Sequence, residues 1–331
     1  MLFRSKKMKN TIKKTFEKNT SKKSASTPTI TPTYNKTLEE LMTTYINQKI
    51  DTIVPYDCFK SSNIMMFIHL IENNNNACIY NILRYGILKV VDNTLSFNSK
   101  THRNNFVESI RNQYALCKKN NKILCIPMQL LFKGNGGGYH LNMIIMNPFR
   151  NEVERFEPHG TDTQVDGYKP VPLNRNLKSF VYDIDIMMNF IPSHKICPRG
   201  YRGYQEYDCD FDRQSDEVSN VKIRDPVGFC CAWSYFYADL RLKYPRLPGS
   251  EILQRSIKTI GEDPEQFRMF IRGQVAFLTE MFKKSKIKMA YAEYVKRKRR
   301  KKGDDVDIVK KPDKEWSEYV WKYFGQMVLH L

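Results

Sequence analysis

Three residues far apart in the chain have the types and settings needed for acyl chemistry on a thiol. His140 and Glu157 flank one predicted β-hairpin, which runs from Gly138-Tyr139-His140 to Phe156-Glu157-Pro158-His159-Gly160. With the turn centred on Pro148-Phe149 the two are directly opposed. Directly opposed residues share a sheet face, with Cβ atoms about 4.5–5.5 Å apart. A carboxylate there would hold an imidazole in one orientation. Cys230 follows in Asp225-Pro226-Val227-Gly228-Phe229-Cys230-Cys231-Ala232-Trp233-Ser234, at the predicted start of a buried helix. A helix N-terminus offers free N–H groups and a positive partial charge, which favour a thiolate and could line an oxyanion hole. In this arrangement His140 is the base, Glu157 its orienter and Cys230 the nucleophile of a thiol hydrolase. Cys231 is the rival nucleophile. Cys230 is preferred because Trp233, three residues on, lies beneath it on the buried face, leaving the thiol at the helix mouth; Cys231 otherwise reads as an inert buried thiol.

The elements that must position these groups can be read from apolar spacing. Residues 37–50, 60–90 and 103–119 show helical periodicity, the last with Phe106, Ile110 and Tyr114 on one face. The run 123–132 predicts a strand before a glycine-rich turn, and Pro127 within it argues for an edge or a bulge. A helix over 175–190, a long irregular segment over 191–225 and a helix over 230–243 follow. In that last helix Trp233, Phe236, Tyr237 and Leu240 form one face, and Pro245 stops it. Further helices fill 249–296 and 314–328. The expected class is α+β, a small mixed or antiparallel sheet packed by helices. The expected organisation is a disordered basic arm (1–33), a helical N-terminal region (34–120), a catalytic domain (121–275) and a helical C-terminal region with a basic run (276–331).

The bulk numbers narrow the class. The 331 residues are 41% hydrophobic, enough for a real core, and carry a net charge of +19. That charge is uneven: residues 1–36 hold ten Lys/Arg against one acid, and residues 283–302 hold eleven against one, so the rest is neutral. Such segregation fits targeting or polyanion binding, and makes Lys296, Arg297, Lys298, Arg299 and Arg300 candidate nucleic-acid contacts. A solvated charged face is the plain alternative. No apolar stretch approaches the roughly 18 residues of a membrane span, and the N-terminus does not read as a secretory signal. The eight cysteines are irregularly spaced with no CxxC, which predicts reduced thiols in a cytosol-like compartment. His194, Cys197 and Cys209 lack a fourth ligand at suitable spacing, so no metal is expected. His159 reads as a turn residue and Asp225 as a partner for loop N–H groups.

The order His, acid, Cys, with 17 residues from His140 to Glu157, resembles the adenovirus protease (adenain) and its relatives, the SUMO- and ubiquitin-like-protein proteases and poxvirus-type core-protein proteases. His140-Leu141-Asn142-Met143, Arg155-Phe156-Glu157-Pro158-His159-Gly160, the Cys230 stretch and Ala238-Asp239-Leu240-Arg241-Leu242-Lys243-Tyr244-Pro245 look closest to members from large nucleocytoplasmic DNA viruses. The resemblance covers roughly 120–275. Papain-type enzymes run Cys before His and are set aside. Three departures stand out. Leu141 replaces the Trp that follows the His, Arg224 and Asp225 occupy the place of the oxyanion Gln, and Cys230 is not followed by Gly. Gln205, in Gly203-Tyr204-Gln205, is the candidate oxyanion-hole residue instead, with a solvated loop glutamine as its plain alternative.

The resemblance implies a thiol protease, a cysteine peptidase acting in virion maturation by cleaving viral structural or core precursors after Gly-Gly or Ala-Gly. It implies a location in the virion and the host cytoplasm at the viral factory, with the nucleus also open. No cofactor is implied beyond a possible DNA or peptide activator. The rivals are removal of ubiquitin or SUMO tags from host proteins, acyl transfer by the same triad, and a catalytically silent nucleic-acid-binding virion protein.

Overall fold

The computed structural model describes residues 74–78, 87–132, 138–160, 167–214 and 229–283. The arm 1–33, the helices expected over 37–50 and 314–328, Arg224, Asp225 and the run 296–302 lie outside the described residues. In chain order the elements are β1 (Ala77–Cys78), β2 (Leu88–Val91), β3 (Thr94–Leu95), α1 (Lys100–Lys119), β4 (Ile123–Phe132), β5 (Gly138–Asn147), β6 (Glu152–Phe156), α2 (Pro170–Ile184), β7 (Asn189–Ile191), α3 (Ser193–Ile196), α4 (Tyr204–Gln214), α5 (Cys230–Lys243), α6 (Gly249–Ile260) and α7 (Pro264–Lys283).

The chain has a mixed α+β fold. Its sheet is ordered β3-β2-β4-β5-β6-β7, with β1 also paired to β4. The central β4-β5-β6 meander is antiparallel, whereas β1 and β2 run parallel to β4, and β7 runs parallel to β6. The first expected strand is therefore interior rather than at an edge. β1 pairs with Ile123 and Leu124, and β2 with Met128 to Leu131. Pro127 falls between these two pairings, where its missing N–H disturbs neither.

One sheet face is covered by α1 and α2. Their buried Phe106, Ile110, Leu173, Leu177 and Phe180 share a core with Ile126, Leu130, Ile144 and Val153. α1 starts at the Ser99 cap, whose hydroxyl accepts from His102 N at 3.0 Å, and α2 starts on a proline, which suits a first-turn position. α5 packs on β5, and Tyr237 stacks on Phe156 at 3.9 Å on the other side of the sheet. Every residue of α5 from Cys230 to Leu242 is buried. The single apolar face expected for this helix is thus replaced by burial all round, the pattern of a central helix.

Several other expectations are corrected. Within 60–90, where helix was expected, residues 77–78 and 88–91 are extended. The helix expected over 175–190 ends at Ile184, and 189–191 form β7. The supposedly irregular 191–225 contains α3 and α4. β2 and α1, which precede residue 120, share the sheet and core of β4. The thiols are not all reduced: Cys78 of β1 is disulfide-bonded to Cys117 of α1, and Cys231 is also in a disulfide.

Candidate active site

The hairpin register decides how the acid meets the imidazole. Met143 pairs with Phe156. Continued beyond this last pair, the register sets Asn142 opposite Glu157 at the next step and His140 opposite His159 three steps on. Glu157 is therefore the diagonal neighbour of His140, not its direct opposite. The turn is a four-residue loop: Asn147 Oδ1 accepts from Phe149 N at 3.0 Å, and Asn151 takes a left-handed conformation with φ 53°. Asparagine tolerates both roles. The resulting two-residue shift keeps His140 and Glu157 on one face, so contact survives the changed register.

That contact is tight. His140 Nε2 lies 2.5 Å from Glu157 Oε1, and Asn142 Nδ2 donates to Glu157 Oε2 at 2.8 Å. The His159 backbone N–H also donates to Oε1, at 3.1 Å. Both side chains of the pair are almost wholly buried. With Nε2 turned to Glu157, Nδ1 is the ring nitrogen that remains for Cys230, which is near enough to influence the imidazole. Burial alone would lower the His140 pKa, but Glu157 and Cys230 together raise it to about 10. Burial likewise opposes ionisation of Glu157, yet His140, His159 and Arg155 hold its pKa down at about 2. The pair is thus imidazolium with carboxylate at neutral pH.

Cys230 stands at the first residue of α5, as a free thiol with 8% exposure. The cap residue Phe229 makes no side-chain bond to the first-turn N–H groups. Cys231 is fully buried and its sulfur is held in a disulfide, which removes it as the alternative nucleophile.

Gln205 is brought to the same neighbourhood and is buried, not the solvated loop residue that was its alternative. Its backbone N–H donates to Pro158 O at 2.9 Å, and Tyr204 before it stacks on Trp233 of α5 at 5.1 Å. The close approach depends on Gly203, where an added Cβ would lie 2.4 Å from Pro158 O and 2.5 Å from Gly160 N. Gln205 Oε1 is buried without a hydrogen-bond partner, so the acceptor end of this amide is not bonded by the fold. His159 is more than a turn residue: its ring lies 5.2 Å from that of His140, and its Nδ1 is 3.4 Å from Glu206 Oε2.

The support for Glu157 was missed from sequence. Arg155 is fully buried and donates to Asn142 Oδ1 at 2.7 Å, Asn174 Oδ1 at 2.9 Å, Tyr168 OH at 2.8 Å and Ser193 Oγ at 2.5 Å. One available signal was the consecutive charges of Glu154 and Arg155 inside a strand, which must point to opposite faces of a buried sheet. A cavity of about 320 Å³ lined by Glu152, Glu154, Asn189, Lys195 and Gly249 lies towards the other end of β6 and includes none of these catalytic candidates.

No family model matches the chain, and no solved structure matches it. A protein of Acanthamoeba polyphaga mimivirus named as an ankyrin repeat protein is 26% identical over 178 residues, covering 51% of this chain and 22% of that protein. The chain thus spans about a fifth of the length of the curated relative it matches. Ankyrin repeats are stacked helix pairs, whereas the described residues here build a mixed sheet, so the likeness carries no fold assignment.

Proposed function

We propose that this chain is a cysteine peptidase of the adenain and ubiquitin-like-protease type. The observation that supports the reading is the buried His140–Glu157 pair, with the free Cys230 thiol at the start of a buried helix near enough to influence the imidazole. In the reactive form the thiol proton resides on His140, and the Cys230 sulfur anion attacks the scissile carbonyl carbon; as the C–S bond forms the carbonyl electron pair moves onto oxygen. First-turn N–H groups of α5 and the Gln205 amide receive that oxyanion. His140 gives its proton to the leaving nitrogen as the C–N bond breaks, leaving an acyl thioester on Cys230. Neutral His140 then takes a proton from water, the hydroxide adds to the thioester, and the C–S bond breaks to release the acid. Glu157 stays ionised throughout and stabilises the imidazolium.

The proposed substrates are virion precursor polypeptides cleaved after Gly-Gly or Ala-Gly, in the virion and at the host's viral factory. The likeness to a mimivirus protein supports a viral setting. Peptide amides ending in Gly-Gly or Ala-Gly and carrying a fluorogenic leaving group test the activity directly. Ubiquitin and SUMO with a C-terminal electrophile, run in parallel, separate tag removal from precursor processing. Turnover that vanishes in Cys230→Ala is expected. A folded protein that neither turns over a peptide nor captures a probe, or turnover that persists in Cys230→Ala, overturns the reading.

A further inference from the structure

We propose that Arg155, acting through Asn142, is a positioning residue that fixes the orientation and charge of Glu157; this rests on the peptidase reading. A wholly buried guanidinium is costly to desolvate and is kept only with its donors satisfied. Here its donors reach four separate places: Asn142 on β5, Tyr168 before α2, Asn174 on α2 and Ser193 on α3. Such a fork cannot turn without breaking several bonds at once.

The relay has a direction imposed by chemistry. A guanidinium only donates, so Asn142 must present its oxygen to Arg155 and hence its NH2 to Glu157. That NH2 donates to Oε2, and a donor there favours the ionised carboxylate. Arg155 Nη1, 3.8 Å from the same oxygen, adds a second positive influence. Oε1 is left to His140 and the His159 N–H. Both oxygens of Glu157 are thus assigned, and the plane of the carboxylate is fixed relative to the imidazole.

Asn142→Asp is the diagnostic variant because it matches the original in size. It keeps an acceptor for Arg155 but replaces the donor facing Glu157 with a second carboxylate. Arg155→Lys keeps the charge and loses the fork. In both, kcat for the peptide amide should fall on the order of a hundredfold with little change in KM, as expected for misplaced catalytic groups. The alkaline limb of the rate profile, set by loss of the His140 proton, should move to higher pH in Asn142→Asp, because a second carboxylate beside the pair favours the imidazolium. Arg241→Lys is the matched control, since Arg241 is equally buried and pairs with Glu154 at 2.9 Å away from the site; it should leave that limb in place. Natively folded Asn142→Asp with a wild-type rate and profile would overturn the proposal, whatever Arg155→Lys does to folding. A wild type whose Cys230 is unreactive would instead sink the peptidase reading itself.

Discussion

Glu157 stands opposite Asn142 and grips His140 on the diagonal, 2.5 Å from Oε1 to Nε2. A direct cross-strand pair would have left the second carboxylate oxygen without an assigned neighbour from β5. The diagonal arrangement gives Oε1 to the imidazole and Oε2 to the asparagine amide. The acid is thereby held from two positions on the same strand, which is preorganisation of the kind a catalytic base requires.

The buried pair should leave a signature in stability against pH. Glu157, depressed from 4.5 to about 2, contributes stability that is present above pH 4.5 and lost as pH falls through 2. His140, raised from 6.5 to about 10, contributes stability that is full below pH 6.5 and lost as pH rises through 10. The joint contribution is therefore greatest between about 4.5 and 6.5. Tm measured across pH should show the wild type losing this increment on the alkaline side, while His140→Gln shows no such alkaline loss. Parallel Tm curves for the two proteins would contradict the assignment.

Gly203→Ala should disable the site without touching a catalytic group. Its Cβ would meet backbone atoms of Pro158, His159 and Gly160 at 2.4 to 2.5 Å, which cannot rotate away. The start of α4 would have to retreat, breaking the Gln205 N–H bond to Pro158 O. A fall in kcat on the order of a hundredfold, with the protein still folded, is expected in steady-state assays. Unchanged kcat would argue that Gln205 takes no part.

The Cys78–Cys117 disulfide should matter more to the frame than its short strand suggests. It closes a loop with a sequence separation of 39, worth about 4 kcal/mol in the chain-entropy account. Two residues before it, Asn76 Nδ2 donates to Leu242 O near the end of α5 at 2.8 Å. Cys78→Ser should lower denaturant stability by a few kcal/mol, and a dithiol reductant should destabilise the wild type by more than the variant, in which the Cys78–Cys117 bond is already absent. Equal stability of the oxidised wild type and the variant would rule this out.

Cys231→Ser should behave as a stability variant only. Loss of its disulfide is expected to cost about 2–5 kcal/mol, read by chemical denaturation, while alkylation still finds Cys230. Loss of alkylation from a folded Cys231→Ser protein would return that sulfur to the chemistry.

Much of the frame was legible because its signals are local. The apolar run of β4 and the helix of α5 fall where composition placed them, each bounded by turn residues or proline. The register was not legible, since it depended on two asparagines choosing a four-residue loop over a two-residue turn. Parity rescued the site: a shift of two leaves His140 and Glu157 on one face, where a shift of one would have separated them. Arg155 and Glu154 were invisible for another reason. Charges in a strand suggest solvent, and only the layers on both faces, with Ser193 below one and Tyr237 above the other, reveal them as buried and bonded. The disulfides were hidden because pairing depends on distances in the folded chain, not on cysteine spacing.

The most direct measurement is alkylation of the native protein by iodoacetamide at neutral pH, followed by peptide mapping. A single label on Cys230 that disappears in His140→Ala, while Cys231 stays unlabelled, is the predicted result. A folded wild type whose Cys230 resists the reagent, or one that labels equally in His140→Ala, would contradict the account.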